Sequence, residues 1–421
     1  MTLAVVTTGV NVATHSLQTS PLDELDYIHY TDKVLSQGFV RLNEQVGDYT
    51  VQILSCEGVI PNVTYGECGD ASAEDLPYSG HTQAAPYTPL FFGLTAIVGG
   101  GIHLLTGVER LVAWRLVGAF WLAGAMLMMV LAFRRWKIPD TTTFVLGLLV
   151  ITSPYTWLAE TFLSTDAPAL FVGASLLYMV TKVRNRELSP KWLLLAFPFA
   201  VALKVTNISA ILLSLLFLFI AAITDARNRH LSEGNQPRVK VTVNVLVTAT
   251  LGLVLAGVLE FIWLKFVAAS ALPAVVDMDQ GVSRNLSGLE LITQATNFIS
   301  ATITANPLLT SKYAPFFAPL SWLSIAGVVG GFLSIRKWDA YAEMKTAVLL
   351  AAVLAAPVLA LTLQIGTGSY FSIEPRYGGS LIPAFMLSTA FILKNRMSLI
   401  LLTLYAIACL GVGLAFSIRL H

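Results

Sequence analysis

The chain has 421 residues, of which 55% are hydrophobic and only 12% are charged, and its formal net charge is +1. Together with a mean hydropathy of +0.71, this composition excludes a soluble domain and predicts an all-α integral membrane protein. The near-neutral charge gives no electrostatic basis for binding nucleic acid.

The N-terminal residues 2–19 form a short, Thr-rich apolar segment. The segment has no basic region and no evident cleavage site before Asp23, so no cleavable signal peptide is predicted. We expect it to be the first membrane span. Its shortness and its threonines predict an abbreviated or misassigned N-terminus.

Apolar runs close to the length of a membrane span recur along the chain and predict a bundle of about eleven transmembrane helices. The predicted spans are roughly 3–19, 111–133, 142–158, 167–183, 191–204, 206–223, 241–266, 316–335, 345–367, 376–394 and 397–418. Short basic loops follow several of them and are expected in the cytoplasm. Alternation between these loops predicts a cytoplasmic N-terminus and an external C-terminus.

One further apolar run, residues 87–106, does not fit this alternation. It is interrupted by Pro89, by the glycines 99–101 and by His103, so we expect a helix lying in the outer leaflet. The chain then forms a single transmembrane domain, 1–421. Its first external loop, 20–110, holds juxtamembrane helices near 22–37 and 87–106, and its second external loop is 267–315.

The chain has three cysteines, and two of them share the first external loop. Cys56 and Cys68 form a disulfide if that loop faces an oxidising compartment; the alternative is two free thiols. Cys409 lies in an apolar run and is expected to serve packing.

The scarce polar residues gather on the predicted external face. An ionisable group at membrane depth costs a few kcal/mol or more, so each needs a partner or a function. Lys204 is the most informative, because it interrupts the apolar stretch 196–223 at a tight external turn. The alternative interpretation is a lysine whose ammonium group reaches the membrane interface.

The order of these motifs resembles the GT-C class of polyprenyl-phosphate-sugar glycosyltransferases, in particular the aminoarabinose transferases and protein O-mannosyltransferases. The matching motifs are Asp23-Glu24, the run Ala85 to Phe92 (APYTPLFF), Thr165-Asp166-Ala167-Pro168, Leu203-Lys204-Val205-Thr206 and Glu374-Pro375-Arg376-Tyr377. The chain departs from the aminoarabinose enzymes just before the juxtamembrane helix, where His81 and Gln83 stand near the place of a lysine.

The resemblance implies a membrane glycosyltransferase that moves one sugar from a polyprenyl-phosphate donor to a hydroxyl group of a glycan, lipid or protein. A departing phosphate needs no protonation, so the enzyme needs a base for the acceptor and cations for the phosphate. Asp23 is the predicted base, and Glu24 positions the acceptor or is the second candidate base. Lys204 and Arg376 are expected to bind the phosphate. Attack opposite the phosphate predicts inversion at the anomeric carbon.

The remaining predicted site residues are assigned to the sugar or the acceptor. Asp166 would orient Lys204 or a sugar hydroxyl, and the others are Asp26, His29, Tyr30, Glu374 and Tyr377. Two structural alternatives stay open: Asp23 could cap an amphipathic helix, and Glu374 with Arg376 could cap the span that follows.

No cofactor is implied. Asp23, Glu24 and Asp26 could offer oxygen ligands to a divalent metal, but the metal-independent relatives match better. The alternative function is a non-enzymatic flippase or transporter of lipid-linked sugar, which would be expected to show repeated halves and charges near the midplane. A ligase for whole oligosaccharides is a third possibility. The predicted location is a bacterial inner membrane, with the active site facing the periplasm.

Overall fold

The structure is a computed structural model that describes residues 1–14, 17–60, 62–231, 241–273, 286–309, 312–367, 370 and 372–419. These residues are largely helical, and β structure among them consists of isolated bridges, such as those that join Thr19 to Val59, Gln45 to His81 and Val59 to Val63. The all-α class predicted from the sequence is confirmed.

Seventeen α-helices are found in the described part of the chain. They are α1 (Thr2–Thr14), α2 (Glu24–Gln37), α3 (Asp48–Cys56), α4 (Pro89–Thr106), α5 (Arg110–Arg135), α6 (Asp140–Ile151), α7 (Pro154–Thr161), α8 (Ala167–Arg184), α9 (Leu193–Leu203), α10 (Ile208–Leu231), α11 (Val243–Ala269), α12 (Gly288–Ala301), α13 (Ala314–Ile325), α14 (Gly331–Leu333), α15 (Ala340–Thr367), α16 (Ile382–Ile392) and α17 (Arg396–Arg419). A 3₁₀ segment, Pro375–Leu381, precedes α16.

Seven helical stretches in the described part are long and apolar enough to cross a membrane, and an eighth is obtained if the bent pair α6–α7 counts as one span. The seven are α4, α5, α10, α11, α13 with α14, α15 and α17. Each predicted span falls on helical segments, but α1, α9 and α16 are shorter than a full crossing. The figure of about eleven spans therefore stays a prediction.

The predicted span 142–158 is broken rather than straight. Its two halves, α6 and α7, meet at an angle of 63°. Pro154 has no amide hydrogen to continue α6, and the Ser153 hydroxyl caps α7 by accepting a hydrogen bond from the amide of Thr156. The bend turns the C-terminal end of α7 towards the first residues of α8.

Small residues let the central helices approach closely. A methyl group at Gly118 of α5 would overlap the carbonyl oxygen of Glu160 in α7. A methyl group at Gly173 of α8 would overlap the carbonyl oxygen of Ser380 in the 3₁₀ segment. These contacts fix the start of α8 and the 3₁₀ segment against the same core.

One end of the bundle carries a compact extension, here called the cap, which comprises the described residues from 17 to 88. It contains α2 and α3, and the Cys56–Cys68 disulfide is formed, so the alternative of two free thiols is wrong. Arg110 at the start of α5 binds Asp32 of α2 at 2.8 Å. Cys409 is buried, in line with its predicted packing role.

The opposite end holds the connections that follow α5 and α8, which carry basic residues. Arg135 pairs with Glu187 at 2.6 Å and Arg184 pairs with Glu343 at 2.6 Å. Trp136 donates a hydrogen bond to the Thr181 hydroxyl across the same region. Basic loops therefore cluster at the end away from the cap, as expected for a cytoplasmic face.

Both ends of α4 lie near the cap end of the bundle. Just before the helix, the Thr88 hydroxyl donates to the carbonyl oxygen of Ala202, which is near the end of α9. Just after it, Gly107 adopts a left-handed conformation (φ 71°) and leads to Arg110, which binds the cap. We therefore still expect α4 to lie along the membrane surface, although its length would allow a crossing.

Candidate active site

Four charged side chains from distant parts of the chain meet at the cap end of the bundle. Asp23 precedes α2, Asp166 precedes α8, Lys204 lies in the turn after α9, and Arg376 lies in the 3₁₀ segment. The connections that place them are the bent α6–α7 pair and the close packing of α8 on the 3₁₀ segment. All four were candidates from the sequence, and the structure brings them together.

Lys204 and Asp166 form the buried half of this cluster. The Lys204 ammonium donates to Asp166 Oδ1 at 2.6 Å, and the two side chains are 2% and 4% exposed. Lys204 therefore does not extend to the membrane interface, and that alternative is wrong. Asp166 orients Lys204, which is one of the two roles predicted for it.

Arg376 joins this buried pair to Asp23. Its Nη2 lies 3.1 Å from Asp23 Oδ2, and its Nε lies 3.9 Å from Asp166 Oδ2. The Arg376 side chain is 11% exposed, whereas that of Asp23 is 41% exposed. The charge cluster therefore opens to its surroundings on the side of Asp23.

An aromatic ring lies beside both cations. The ring centre of Tyr377 is 4.9 Å from Lys204 Nζ and 5.4 Å from Arg376 Cζ. Its electron-rich face contributes an attraction of about 0.5–2 kcal/mol for each cation. Tyr377 thus supports the cations directly, and it is half-buried at the same opening.

Tyrosine and threonine hydroxyls hold Asp23, and the sequence analysis gave no role to them. Tyr27 donates to Asp23 Oδ2 at 3.3 Å, and Thr165 donates to the Tyr27 hydroxyl at 3.2 Å. The Tyr87 hydroxyl is 3.3 Å from that of Tyr27. Burial raises the pKa of Tyr27 well above its usual value, so its hydroxyl keeps the proton that it donates.

Asp23 does not act as the helix cap that was considered from the sequence. It occupies the N-cap position of α2, but its side chain makes no capping hydrogen bond. The carboxylate instead points to Arg376 and Tyr27. The corresponding alternative for Glu374 is also wrong: it makes no side-chain cap for the 3₁₀ segment, and Arg376 pairs with the two aspartates.

Glu24, predicted to act beside Asp23, lies in a different environment. Its side chain is 1% exposed, and Arg115 binds both carboxylate oxygens at 2.8 and 3.0 Å. The amides of Ser20 and Leu163 donate to the same carboxylate, each at 2.7 Å. Four donors surround this carboxylate, so the geometry favours anchoring α2 to α5 rather than contact with a substrate.

Asp26 anchors the chain between α3 and α4. Its Oδ1 accepts a hydrogen bond from the amide of Gln83 at 2.9 Å, and the residue is buried. Burial raises the pKa of the Asp26 carboxyl to about 6. Its predicted contact with a sugar or acceptor has no support from this position.

His29 faces the interior of the cap, and Tyr30 faces α4. His29 Nδ1 accepts from the amide of Gly47 at 3.1 Å, and burial lowers the pKa of His29 to about 4. Tyr30 stacks on Phe92 with ring centres 4.0 Å apart and is fully buried. Both side chains hold α2 in place, and neither reaches the opening beside Asp23.

The described residues contain no group of three or more His, Cys, Asp or Glu side chains arranged to hold a metal ion. Of the three carboxylates considered as ligands, those of Glu24 and Asp26 accept hydrogen bonds from the protein, and that of Asp23 binds Arg376. The same cluster holds two cations, Lys204 and Arg376, a type of group that binds anions.

Comparison with known proteins gives a structural match. No family profile and no curated protein matches the chain. The crystal structure of ArnT from Cupriavidus metallidurans bound to undecaprenyl phosphate is similar, with 16% sequence identity and a TM-score of 0.51 over 94% of this chain. The apo structure of that protein gives 15% identity and a TM-score of 0.46, also over 94% of this chain.

This chain covers 60% of the ArnT chain in the lipid-bound structure. At this level of identity the similarity concerns the fold alone. ArnT is an aminoarabinose transferase with a membrane GT-C fold. The chain is therefore a multi-pass membrane protein with a GT-C fold.

Proposed function

We propose that this chain is a GT-C glycosyltransferase that moves a single sugar from a polyprenyl-phosphate donor to a hydroxyl group of a glycan, lipid or protein. The proposed location is a bacterial inner membrane, with the site on the extracytoplasmic face. The observation that carries the proposal is the convergence of Lys204, Arg376 and Asp23 at one opening. A similar fold in a protein crystallised with undecaprenyl phosphate supports the class of donor.

The two cations match the demands of the leaving group. When the bond between the sugar and the phosphate breaks, negative charge develops on the departing phosphate oxygen. Arg376 offers a planar fork of donors and Lys204 a point charge, and Tyr377 lies beside both. Fixed cations supply the stabilisation of the phosphate, so the proposed reaction needs no divalent metal.

Asp23 is the proposed general base. It is the most exposed carboxylate of the cluster, so an acceptor hydroxyl can approach it, whereas Asp166 is 4% exposed and bound to Lys204. The acceptor loses its proton to Asp23 as its oxygen attacks the anomeric carbon on the face opposite the phosphate. The configuration at that carbon is inverted. Exposed Glu374 would lie on the acceptor side of the opening.

The decisive experiment compares transfer by wild-type chain and by Asp23→Asn. Mass spectrometry of cellular glycans with and without the gene identifies the acceptor, and purified chain is then assayed for release of polyprenyl phosphate from the donor. Loss of the base should lower turnover by about 100-fold or more. Asp32→Asn is the matched control, because it removes the same charge from α2 at the pair with Arg110.

Wild-type turnover by Asp23→Asn would exclude Asp23 as the base. Movement of the lipid-linked sugar across vesicle membranes without any transfer would instead identify a flippase. Lys204→Ala should chiefly weaken donor binding, and unchanged donor affinity would exclude Lys204 from the phosphate site.

A further inference from the structure

Arg376 is the direct ion-pair partner of the proposed base. Its guanidinium contacts Asp23 at 3.1 Å and lies 3.9 Å from Asp166. The proposed base is therefore held by the same side chain that is proposed to bind the phosphate.

We propose that Asp23 occupies the place of the donor phosphate on Arg376, so that the arriving phosphate displaces Asp23 and releases it to act on the acceptor. This inference rests on the proposed function. It adds a binding order to it: the donor must bind before the base becomes available.

The exposure of the four side chains supports displacement of Asp23 in particular. Asp166 is 4% exposed and Lys204 is 2% exposed, so this flank of Arg376 is closed by protein. The Asp23 side chain is 41% exposed. An anion that reaches Arg376 must therefore arrive on the side that Asp23 now fills.

The charge balance of the cluster also favours displacement of Asp23 by the phosphate. In the structure two carboxylates, Asp23 and Asp166, face two cations, Lys204 and Arg376, so the cluster is neutral. An added phosphodiester anion would leave one unbalanced negative charge in a largely buried site, which is unfavourable. If Asp23 leaves Arg376, the phosphate takes its place and the cluster stays neutral.

The surroundings of Asp23 allow this exchange. Its other partner is the Tyr27 hydroxyl at 3.3 Å, and Tyr27 is held by Thr165. Tyr27 and Arg376 contact the same oxygen, Oδ2, and a side-chain rotation at Asp23 that gives up the contact with Arg376 can present Oδ1 to the Tyr27 hydroxyl. Released Asp23 then stays beside the opening at which the acceptor binds.

The test measures the affinity of the full chain in detergent for undecaprenyl phosphate, a sugar-free probe of the phosphate site. If Asp23 competes with the phosphate, Asp23→Asn should bind the probe about fivefold more tightly, since removing one partly exposed ion pair changes the free energy by about 1 kcal/mol. Asp32→Asn, the matched control within α2, should bind like wild type.

A double-mutant cycle identifies Arg376 as the shared partner. Arg376→Gln should weaken binding of the probe, and adding Asp23→Asn to it should bring no further change. Unchanged or weaker binding by Asp23→Asn alone would overturn the competition while leaving the glycosyltransferase proposal standing. Failure of the folded wild-type chain to bind the probe, with folding checked by a cooperative thermal transition, would overturn both.

Discussion

Asp23 and Glu24 are adjacent in sequence, but their carboxylates differ in exposure and in the number of hydrogen bonds that they accept. The carboxylate of Asp23 is 41% exposed and has Arg376 and Tyr27 as partners. The carboxylate of Glu24 is 1% exposed and accepts hydrogen bonds from four donors. A base must be reachable by its substrate, and a carboxylate with every oxygen occupied inside the protein is not.

We therefore predict that Glu24→Gln loses stability, whereas Asp23→Asn loses activity. Glu24→Gln removes the carboxylate from the buried ion pair with Arg115, and breaking such a pair costs about 3–5 kcal/mol. Thermal unfolding should show a clearly lower midpoint for Glu24→Gln and a midpoint near wild type for Asp23→Asn. A Glu24→Gln variant that is as stable as wild type but inactive would contradict this prediction and would indicate a catalytic role for Glu24.

A second prediction concerns pH. Burial lowers the pKa of His29 from 6.5 to about 4 in the folded chain. The unfolded chain therefore takes up a proton more readily, and stability falls as the pH is lowered from 6.5 towards 4, by up to about 1.4 kcal/mol per pH unit. Asp26 has the opposite effect on stability. Its pKa is raised from 3.8 to about 6 in the folded chain, so its protonation stabilises the folded chain as the pH falls from 6 towards 3.8.

The comparison of wild type with His29→Gln isolates the histidine. Glutamine keeps an acceptor for the amide of Gly47 and does not titrate. Thermal unfolding measured from pH 7 to pH 4 should show the wild type losing more stability than the variant over that range. Parallel pH profiles would mean that the buried imidazole does not resist protonation.

Sequence reasoning found some residues of the site and missed others for a physical reason. Lys204 was found because a charge in an apolar stretch is conspicuous, and Asp166 because it stands in a short polar motif. Arg115 interrupts a predicted span in the same way and could have been found by the same rule. The pairing of Arg115 with Glu24 could not be found in this way, because the two residues are 91 positions apart in the sequence.

At the scale of elements, glycines set the position of the 3₁₀ segment that carries Arg376. The segment lies against α8 at Gly173, where a methyl group would overlap the Ser380 carbonyl oxygen. It also lies against the ring of Tyr155, which leaves no room for a side chain at Gly379. The Tyr155 hydroxyl donates to the carbonyl oxygen of Asp166 at 3.2 Å, so one side chain contacts both halves of the charge cluster.

Gly173→Ala is therefore predicted to move the 3₁₀ segment and, with it, Arg376. Undecaprenyl phosphate should bind several-fold more weakly, because a guanidinium displaced by a fraction of an ångström loses its fork geometry. Gly257→Ala is the matched control, since nothing lies within 4 Å of a methyl group at that position of α11. Equal affinities for the two variants would show that the contact of α8 with the segment does not position Arg376.

The same segment shows the limit of hydropathy analysis. The apolar run 376–394 predicted one continuous span, but the chain forms a 3₁₀ segment as far as Leu381 and an α-helix only from Ile382. The glycines Gly378 and Gly379 are poor α-helix formers and permit close contacts instead. Apolar composition locates a buried segment, but the close packing that shapes it depends on distant partners.

At the scale of the whole molecule, the proposed site and the basic loops occupy opposite ends of the bundle. The cap and the charge cluster lie at one end, and the pairs Arg135–Glu187 and Arg184–Glu343 lie at the other. An enzyme that uses a lipid-linked donor needs one such end facing its acceptor, whereas a carrier needs access from both ends. The side of the membrane on which the C-terminal end of α4 lies is therefore the most direct test of the predicted topology.

Thiol labelling of intact cells tests that sidedness, with Cys409→Ser as background because the other two cysteines are joined in a disulfide. Thr106→Cys reports the exposed C-terminal end of α4, Glu74→Cys the cap, and Lys137→Cys the opposite end. A membrane-impermeant reagent should label Thr106→Cys and Glu74→Cys from outside, and Lys137→Cys only after permeabilisation. The reason is that Arg110, four residues beyond Thr106, binds Asp32 of the cap. Labelling of Thr106→Cys only after permeabilisation would show that α4 crosses the bilayer. The predicted membrane orientation of the segments before α5 would then be wrong.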